Sequence, residues 1–183
     1  MNRVVHRFSV AAYDRMIEQG ILTPKDRVEL IRGEIVAKMS MGPKHAGRLS
    51  RLLSLFSLTL VKRVTVNCQS PIVLADSEPE PDISLLKPRD DYYESRKPLP
   101  KDVLLLVEIS DSSIEFDRDV KIPLYAENGI AEFWIVNLDE DCLEVYRSPR
   151  SNGTYRKKQI FGRGDRIEIA ALKGVSFAVA DLL

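Results

Sequence analysis

Three carboxylates interrupt segments of this chain that are otherwise apolar, and they are the first candidates for chemistry. They are Glu29 in VELI, Asp82 in PDISLL and Glu108 in LLLVEIS. A charge in such a segment is costly unless it is paired or binds a metal ion. Hard divalent cations prefer oxygen ligands, so Asp82 and Glu108 would form a magnesium or manganese site if their strands are neighbours.

The residues after Glu108 add a lysine to this set. Asp117 and Lys121 lie four positions apart, so a helix would place them on one face, where the lysine could reach a bound phosphate or water. Each candidate also has an ordinary structural interpretation. In that interpretation Glu108 pairs with a lysine or arginine, Asp82 caps a turn, and the helical pair is solvent-exposed. The order of these motifs along the chain favours the catalytic interpretation.

A predicted helix in the first third of the chain carries several basic residues. Lys44, Arg48 and Arg51 recur at steps of four and three residues. This spacing makes a positive stripe suited to a nucleic-acid backbone, although a solvated helix face has the same pattern. His45 would contact a phosphate or help to position Glu29, or it is a surface residue. Both alternatives stay open for the stripe and for the histidine.

Helices and strands must position these side chains. Ser9 is placed to cap a first helix that ends at Gly20. Residues 27–39 alternate polar and apolar side chains around Gly33, which predicts a hairpin. From Pro43 the apolar residues follow helical spacing over about five turns.

Strand-like patterns dominate the rest of the chain. We expect strands at residues 64–74, 82–86, 103–110, 133–137 and 142–147. Residues 103–109 are apolar apart from Glu108 and predict a central strand covered on both faces. A helix kinked at Pro123 is expected over residues 113–128. Weaker strand patterns occur at residues 155–161 and 174–180.

The composition restricts the class of protein. The chain has 183 residues, with 27 Lys and Arg against 27 Asp and Glu, so its formal net charge is zero and a generally basic nucleic-acid-binding protein is disfavoured. Hydrophobic residues make up 44%, which is enough for one core and predicts a single domain over residues 1–183. No apolar stretch approaches the roughly 20 residues of a membrane span and no secretory signal is apparent, so we expect a cytoplasmic protein without membrane contact. Cys68 and Cys142 lack metal-binding spacing and are expected to be reduced and buried.

The motifs together resemble those of the Uma-two type restriction endonucleases in the PD-(D/E)XK nuclease superfamily. The resemblance rests on VELIRGEIVAKMS at residues 28–40, His45, PDISLL at 81–86, VLLLVEISDSS at 103–113 and DRDVKIPLYAENGIAEFWIVN at 117–137. It covers residues 8 to about 161. It implies an α/β (α+β) restriction-endonuclease-like fold, in which helices flank a mixed β-sheet and a magnesium-dependent site lies at the end of the central strands.

The resemblance also assigns roles to individual residues. Asp82 matches the family's PD aspartate, and Glu108 matches the acidic residue of the (D/E)XK element. Ser110 stands where the superfamily has its lysine, and Lys121 matches the placement of a lysine supplied from the following helix. Glu29 matches the acidic residue of the family's ELI segment. The expected catalytic residues are therefore Asp82, Glu108, Lys121 and Glu29, with Asp82 and Glu108 as metal ligands.

The function implied by this resemblance is metal-dependent hydrolysis of phosphodiester bonds in DNA. A Mg²⁺ or Mn²⁺ ion held by the two carboxylates would neutralise the charge that develops on the phosphoryl oxygens. The expected DNA contacts are Lys44, His45, Arg48 and Arg51, and a homodimer would suit cleavage of two strands. Two alternatives stay open. One is a catalytically inactive module that retains the nuclease fold and binds nucleic acid or a partner, and the other is a hydrolase of a different phosphate ester.

Overall fold

The computed structural model describes residues 5–183 of the chain. Residues 1–4, which begin the N-terminal stretch interpreted above as free of a secretory signal, lie outside the described residues. Within residues 5–183, no helix is both long enough and apolar enough to cross a membrane.

A six-stranded mixed sheet lies at the centre of the fold. Its strands, in spatial order, are β3 (Thr65–Cys68), β4 (Ile83–Leu86), β5 (Val103–Ser110), β6 (Glu132–Asn137), β7 (Cys142–Arg150) and β8 (Thr154–Phe161). β5 and β6 are parallel, and every other neighbouring pair is antiparallel. The mixed sheet expected from the sequence is confirmed, including the full length of its central strand β5.

Two small hairpins accompany the sheet. One consists of β1 (Val28–Ile31) and β2 (Glu34–Ala37), and the other of β9 (Arg166–Glu168) and β10 (Ser176–Ala178). The first hairpin turns at Arg32 and Gly33, as predicted. Gly33 has a φ of +76°, and a Cβ at this position would lie 2.8 Å from the Cβ of Arg7. Only glycine fits this turn without moving the neighbouring chain.

The helices lie on both faces of the sheet. They are α1 (Val10–Glu18), α2 (Pro43–Thr59), α3 (Ile114–Phe116), α4 (Ile122–Glu127) and α5 (Val179–Leu182), with a π-helical turn (Asp117–Lys121) between α3 and α4. Ser9 caps α1 as expected, because its hydroxyl accepts a hydrogen bond from the Ala12 amide.

The helix expected over residues 113–128 is irregular in the turn before Pro123. Residues 114–127 are helical throughout, but the segment Asp117–Lys121 is a π-helical turn, and Pro123 follows it in the first turn of α4. Proline has no N–H to donate to the preceding turn, and π-helical turns are one of the usual causes of a kink. Such turns are rare, and a turn with only one apolar residue, Val120, carries no readable period.

Some elements end earlier than the sequence pattern predicts. The strand expected over residues 64–74 is limited to β3, because Gln69 adopts a left-handed backbone conformation with a φ of 45° and turns the chain out of the sheet. The strand expected over residues 174–180 is β10 followed directly by α5. Cys142 is buried as expected, whereas Cys68 is only half-buried, and both thiols are free.

Separate apolar clusters lie on the two faces of the sheet. On β5, Leu105, Val107 and Ile109 pack on the face covered by α2, whereas Leu106 packs on the face covered by α4. Because side chains alternate along a strand, Glu108 lies on the same face as Leu106. The central strand is therefore covered on both faces, as predicted, and its one carboxylate is directed toward α4.

The packing of α2 predicts two different outcomes for two of its residues. Phe56 is fully buried and meets the ring of Phe177 edge-on at 5.4 Å between centroids, so Phe56→Ala should lower the free energy of unfolding by about 3–5 kcal/mol. Leu58 is 79% exposed on the same helix, so Leu58→Ala should change it by less than about 0.5 kcal/mol. Urea denaturation measures both. Equal effects of the two substitutions would contradict this packing of α2.

Candidate active site

The pairing of β4 with β5 brings Asp82 and Glu108 together. Asp82 directly precedes β4, whose first residue Ile83 pairs with Val107. The Asp82 amide donates a hydrogen bond to Glu108 Oε2 at 3.1 Å, and the Ile109 amide donates to Asp82 Oδ2 at 2.8 Å. Both carboxylates are buried. The expectation that their strands are neighbours is confirmed.

Lys121 lies between two of the candidate carboxylates. Its Nζ is 2.9 Å from Glu29 Oε2 and 3.6 Å from Glu108 Oε1. Only 4% of Lys121 and 4% of Asp117 are exposed to solvent. The interpretation of these two residues as a solvent-exposed helix pair is therefore wrong, because the π-helical turn directs both side chains into the protein. Lys121 pairs with carboxylates on the hairpin and on β5.

Burial and charge act in opposite directions on these groups. Burial raises the pKa of Glu108 well above its ordinary value, although the nearby Lys121 opposes the shift. Burial alone would lower the pKa of Lys121, but the carboxylates of Glu108 and Glu29 outweigh it and hold that pKa above the ordinary lysine value. Lys121 is therefore an ammonium ion at neutral pH.

Glu29 supports Lys121 from the hairpin. Its Oε2 accepts hydrogen bonds from Lys121 Nζ and, at 3.0 Å, from the Glu80 amide. Tyr125 on α4 holds Glu108 from the opposite side, where its hydroxyl donates to Glu108 Oε1 at 2.9 Å. The sequence did not indicate this role for Tyr125. Its position four residues after Lys121 was the one usable signal, since residues at this spacing share a helix face.

Asp82 is held by two further side chains. His45 Nε2 lies 2.8 Å from Asp82 Oδ2, and Gln69 Nε2 donates to Asp82 Oδ1 at 3.2 Å. The hydrogen bond with Asp82 raises the pKa of His45, and partial burial opposes it. His45 thus contacts Asp82, and the interpretations of it as a surface residue or as a partner of Glu29 are wrong. The contact of Gln69 was not predicted, because the sequence places Gln69 within an expected strand and nothing in its neighbourhood points to Asp82.

Ser110 stands where the sequence resemblance leads one to expect a lysine, and it binds Asp117. The hydroxyl of Ser110 donates to Asp117 Oδ2, and the hydroxyl of Ser113 donates to the same oxygen at 2.8 Å. Burial raises the pKa of Asp117, and these two hydrogen bonds oppose the shift. Ser110 therefore anchors the start of the π-helical turn that carries Lys121.

A cavity of about 680 Å³ contains Glu29, His45, Asp82, Glu108, Asp117 and Lys121 together. Its wall includes six acidic side chains (Glu29, Glu80, Asp82, Glu108, Asp111 and Asp117) and three lysine or arginine side chains (Arg27, Lys38 and Lys121). The cavity is thus acidic. Carboxylate oxygens are the ligands that hard divalent cations prefer, and a bound cation would offset the excess negative charge. The donor chemistry of Asp82 and Glu108 fits Mg²⁺ or Mn²⁺.

A second acidic group lies outside the cavity and does not fit a cation. Oxygen or sulfur atoms of Glu140, Cys142 and Glu144 lie within 4.8 Å of one another. However, the carboxylate of Glu144 already accepts hydrogen bonds from Arg118, Lys158, Tyr146 and Asn137. Despite the opposing effect of burial, the bonds from Arg118, Tyr146 and Lys158 lower the pKa of Glu144 to about 2. The charge of Glu144 is therefore neutralised by protein groups.

The basic residues of α2 lie apart from the cavity. Lys44, Arg48 and Arg51 line a separate shallow pocket beside Leu138, whereas His45 lines the active-site cavity. Lys44 and Arg51 are exposed and Arg48 is half-buried. Among the described residues, Nη1 of Arg48 is buried without a hydrogen-bond partner. The structure therefore separates His45 from the three other residues that were grouped with it.

Comparisons with known proteins show the family and the fold of this chain. A family model described as "Uma2: Putative restriction endonuclease" matches residues 10–180. The chain also resembles a crystal structure described as a "putative nuclease belonging to DUF820 from Anabaena variabilis ATCC 29413", with a TM-score of 0.72 and 17% sequence identity. That match covers 96% of this chain and 97% of the other, and at this identity it shows the fold. No curated protein matches the chain.

The burial of Lys121 predicts a large effect on stability. Lys121→Met leaves Glu29 and Glu108 buried without their cation, so the free energy of unfolding should fall by about 3–5 kcal/mol. Chemical denaturation of metal-free protein measures it, with Lys157→Met on the exposed side of β8 as the control. Adding Glu29→Gln to Lys121→Met should recover part of the loss. A loss below about 1 kcal/mol would mean that Lys121 forms only a surface pair.

Proposed function

Because the chain belongs to the Uma2 restriction endonuclease family, we propose that it is a metal-dependent endonuclease that hydrolyses phosphodiester bonds in DNA. One observation carries this proposal: Asp82, Glu108 and a buried Lys121 share a single acidic cavity. Two carboxylates and an ammonium group are the side chains needed to hold a hard cation and to stabilise a phosphoryl group.

Asp82 and Glu108 are the residues that would hold Mg²⁺ or Mn²⁺. Asp82 Oδ1 and Glu108 Oε2 each accept one hydrogen bond from the protein and keep a further lone pair, so ligation through these two oxygens does not require the network to break. When bound, the ion neutralises charge on the phosphoryl oxygens and lowers the pKa of water. The excess of carboxylates over cations in the cavity supports this assignment.

Lys121 is the basic residue that we place beside the phosphate. Glu108 and Glu29 raise its pKa despite its burial, which supports a role as a hydrogen-bond donor and a positive charge. A preorganised ammonium group in a buried site stabilises negative charge that develops on the phosphoryl oxygens. Its position beside Glu108 supports this role.

The remaining polar residues of the cavity position these three groups. Glu29 fixes Lys121 through a hydrogen bond of 2.9 Å, so its role in the proposed reaction is indirect. His45 and Gln69 fix the carboxylate of Asp82, one at each oxygen. Residues that hold metal ligands in place by hydrogen bonds determine how precisely those ligands are oriented.

DNA contacts are proposed on the outer side of α2. Lys44, Arg48 and Arg51 present positive charge outside the acidic cavity, and a nucleic-acid backbone is attracted to such a stripe. A homodimer is part of the proposal, because cleavage of two antiparallel strands suits a twofold arrangement. His45 is assigned to Asp82 and not to DNA, on the basis of its contact.

Incubation of the purified protein with plasmid DNA and with linear DNA, in Mg²⁺, Mn²⁺ or a chelator, tests the proposal. We expect cleavage only with a metal ion, and a loss of at least about a hundredfold in rate for Asp82→Asn and Glu108→Gln, comparable to the removal of an oxyanion-hole donor. Glu140→Gln, in the acidic group outside the cavity, should cleave like the wild type. Tight DNA binding without cleavage in any metal would favour the inactive binding module.

Calorimetric titration with Mn²⁺ separates metal binding from catalysis. Asp82→Ala and Glu108→Ala should each abolish Mn²⁺ binding, while Glu140→Ala should leave it unchanged, because only the first two line the cavity. Circular dichroism establishes that the variants are folded. Unchanged Mn²⁺ affinity in either cavity variant would rule out a shared ion.

Replacing Lys44, Arg48 and Arg51 together with glutamine tests the proposed backbone contacts. DNA affinity should fall by a similar factor for every sequence, and the slope of log affinity against log salt should decrease by roughly 1 for each phosphate that the variant no longer binds. Fluorescence anisotropy at several salt concentrations measures both quantities. The control is Arg156→Gln with Lys157→Gln on exposed β8. A salt slope equal to that of the wild type would show that the stripe is only a solvated face.

A further inference from the structure

The active-site cavity has an apolar side as well as an acidic side. Its wall includes Ile17 from α1, Met39 and Met41 from the segment between β2 and α2, and Phe116 from the end of α3. Ile17, Met39 and Met41 are 44%, 49% and 37% exposed, so they form an apolar rim at the cavity. The same void therefore offers both apolar and charged contacts.

A fully paired duplex makes little use of such a wall. Its phosphates and sugars face outward, while the apolar faces of its bases are stacked inside the helix. An unpaired nucleotide presents both parts at once, since its phosphate is charged and the face of its base is apolar. Proteins that bind single strands contact the phosphates with positive groups and stack the bases on aromatic side chains.

Phe116 has the position that stacking of this kind requires. It is half-buried in the cavity wall, and its ring centroid lies 5.9 Å from Nζ of Lys121. Lys121 is the group proposed to meet the phosphate, so Phe116 is placed to meet the base attached to the same sugar. The cavity volume of about 680 Å³ also falls within the range of sites that enclose a small ligand such as one nucleotide.

We propose that the cavity binds an unpaired nucleotide, with Phe116 stacked on its base, Met39 and Met41 against the base edge, and its phosphate beside Lys121. This inference rests on the proposed function and specifies the substrate class. Single strands, and unpaired segments within a duplex, are then the DNA that the enzyme cleaves fastest. Phe116 is the residue that selects them.

One labelled strand presented in three forms tests the inference: single-stranded, fully paired, and paired around an internal unpaired segment. With Mg²⁺, the wild type should cleave both unpaired forms at least about tenfold faster than the duplex. Phe116→Ala should lower the ratio of unpaired to duplex cleavage by about tenfold, the effect of one base–aromatic stack. Phe116→Tyr should retain the preference, and Met41→Ser, at an exposed position, should reduce it without affecting folding.

The same variants are compared by anisotropy of the labelled single strand in the presence of a chelator, where no cleavage occurs. Phe116→Ala should bind about tenfold more weakly than the wild type, whereas Leu58→Ala, an exposed apolar residue far along α2, should bind equally. This measurement keeps the inference testable if no form of DNA is cleaved, a result that would overturn the proposed function alone. Unchanged single-strand binding by Phe116→Ala would then overturn the inference as well.

Equal cleavage of paired and unpaired DNA by the wild type would overturn the inference and leave the proposed nuclease function intact. The same conclusion follows if Phe116→Ala slows cleavage of all three forms by one factor. In that case Phe116 acts on Lys121, which its ring approaches, and not on a base.

Discussion

Lys121 is buried between the carboxylates of Glu29 and Glu108, and each of these three residues belongs to a different element. Burying a charge is tolerated only when opposite charges and hydrogen bonds surround it, so the hairpin, β5 and the π-helical turn must keep fixed relative positions. The backbone geometry follows this requirement. The turn from Asp117 to Lys121 departs from an α-helix where both side chains enter the protein, and Ser110 and Ser113 anchor its first carboxylate.

The alternation of side chains along β5 connects this charge cluster to the core. Leu105, Val107 and Ile109 pack under α2, and Glu108 is directed to the opposite face, where Tyr125 donates to it. A shift of β5 by one residue would bury Glu108 among the leucines under α2 and break its contacts with Lys121. The register of the central strand is thus fixed by apolar packing on one face and by the charge cluster on the other.

The sequence predicted those features that depend on residues close together in the chain. The apolar run of β5 indicated its full length, and the carboxylate that interrupts this run is one of the groups around Lys121. The contact of His45 with Asp82 could not be predicted from the sequence, because these residues are 37 positions apart and meet only when α2 packs on the sheet. The sequence also did not reveal the π-helical turn, because Val120 is the one apolar residue of the segment 117–121 and so short a segment shows no period. The exposed helix pair therefore stayed open as the alternative to the predicted catalytic role of Lys121.

The neutral net charge of the chain conceals a separation of charge across α2. His45 on its inner side belongs to the acidic cavity, whereas Lys44, Arg48 and Arg51 on its outer side line a basic pocket. Surface charges act over about 10 Å at moderate salt, so an approaching DNA backbone meets attraction along α2 and repulsion at the mouth of the cavity. A divalent cation held by Asp82 and Glu108 would offset part of the excess negative charge of the cavity wall, so it would reduce this repulsion. In the proposed enzyme, the basic residues of α2 would therefore account for the attraction of DNA, and a metal ion in the cavity would ease the entry of a phosphate.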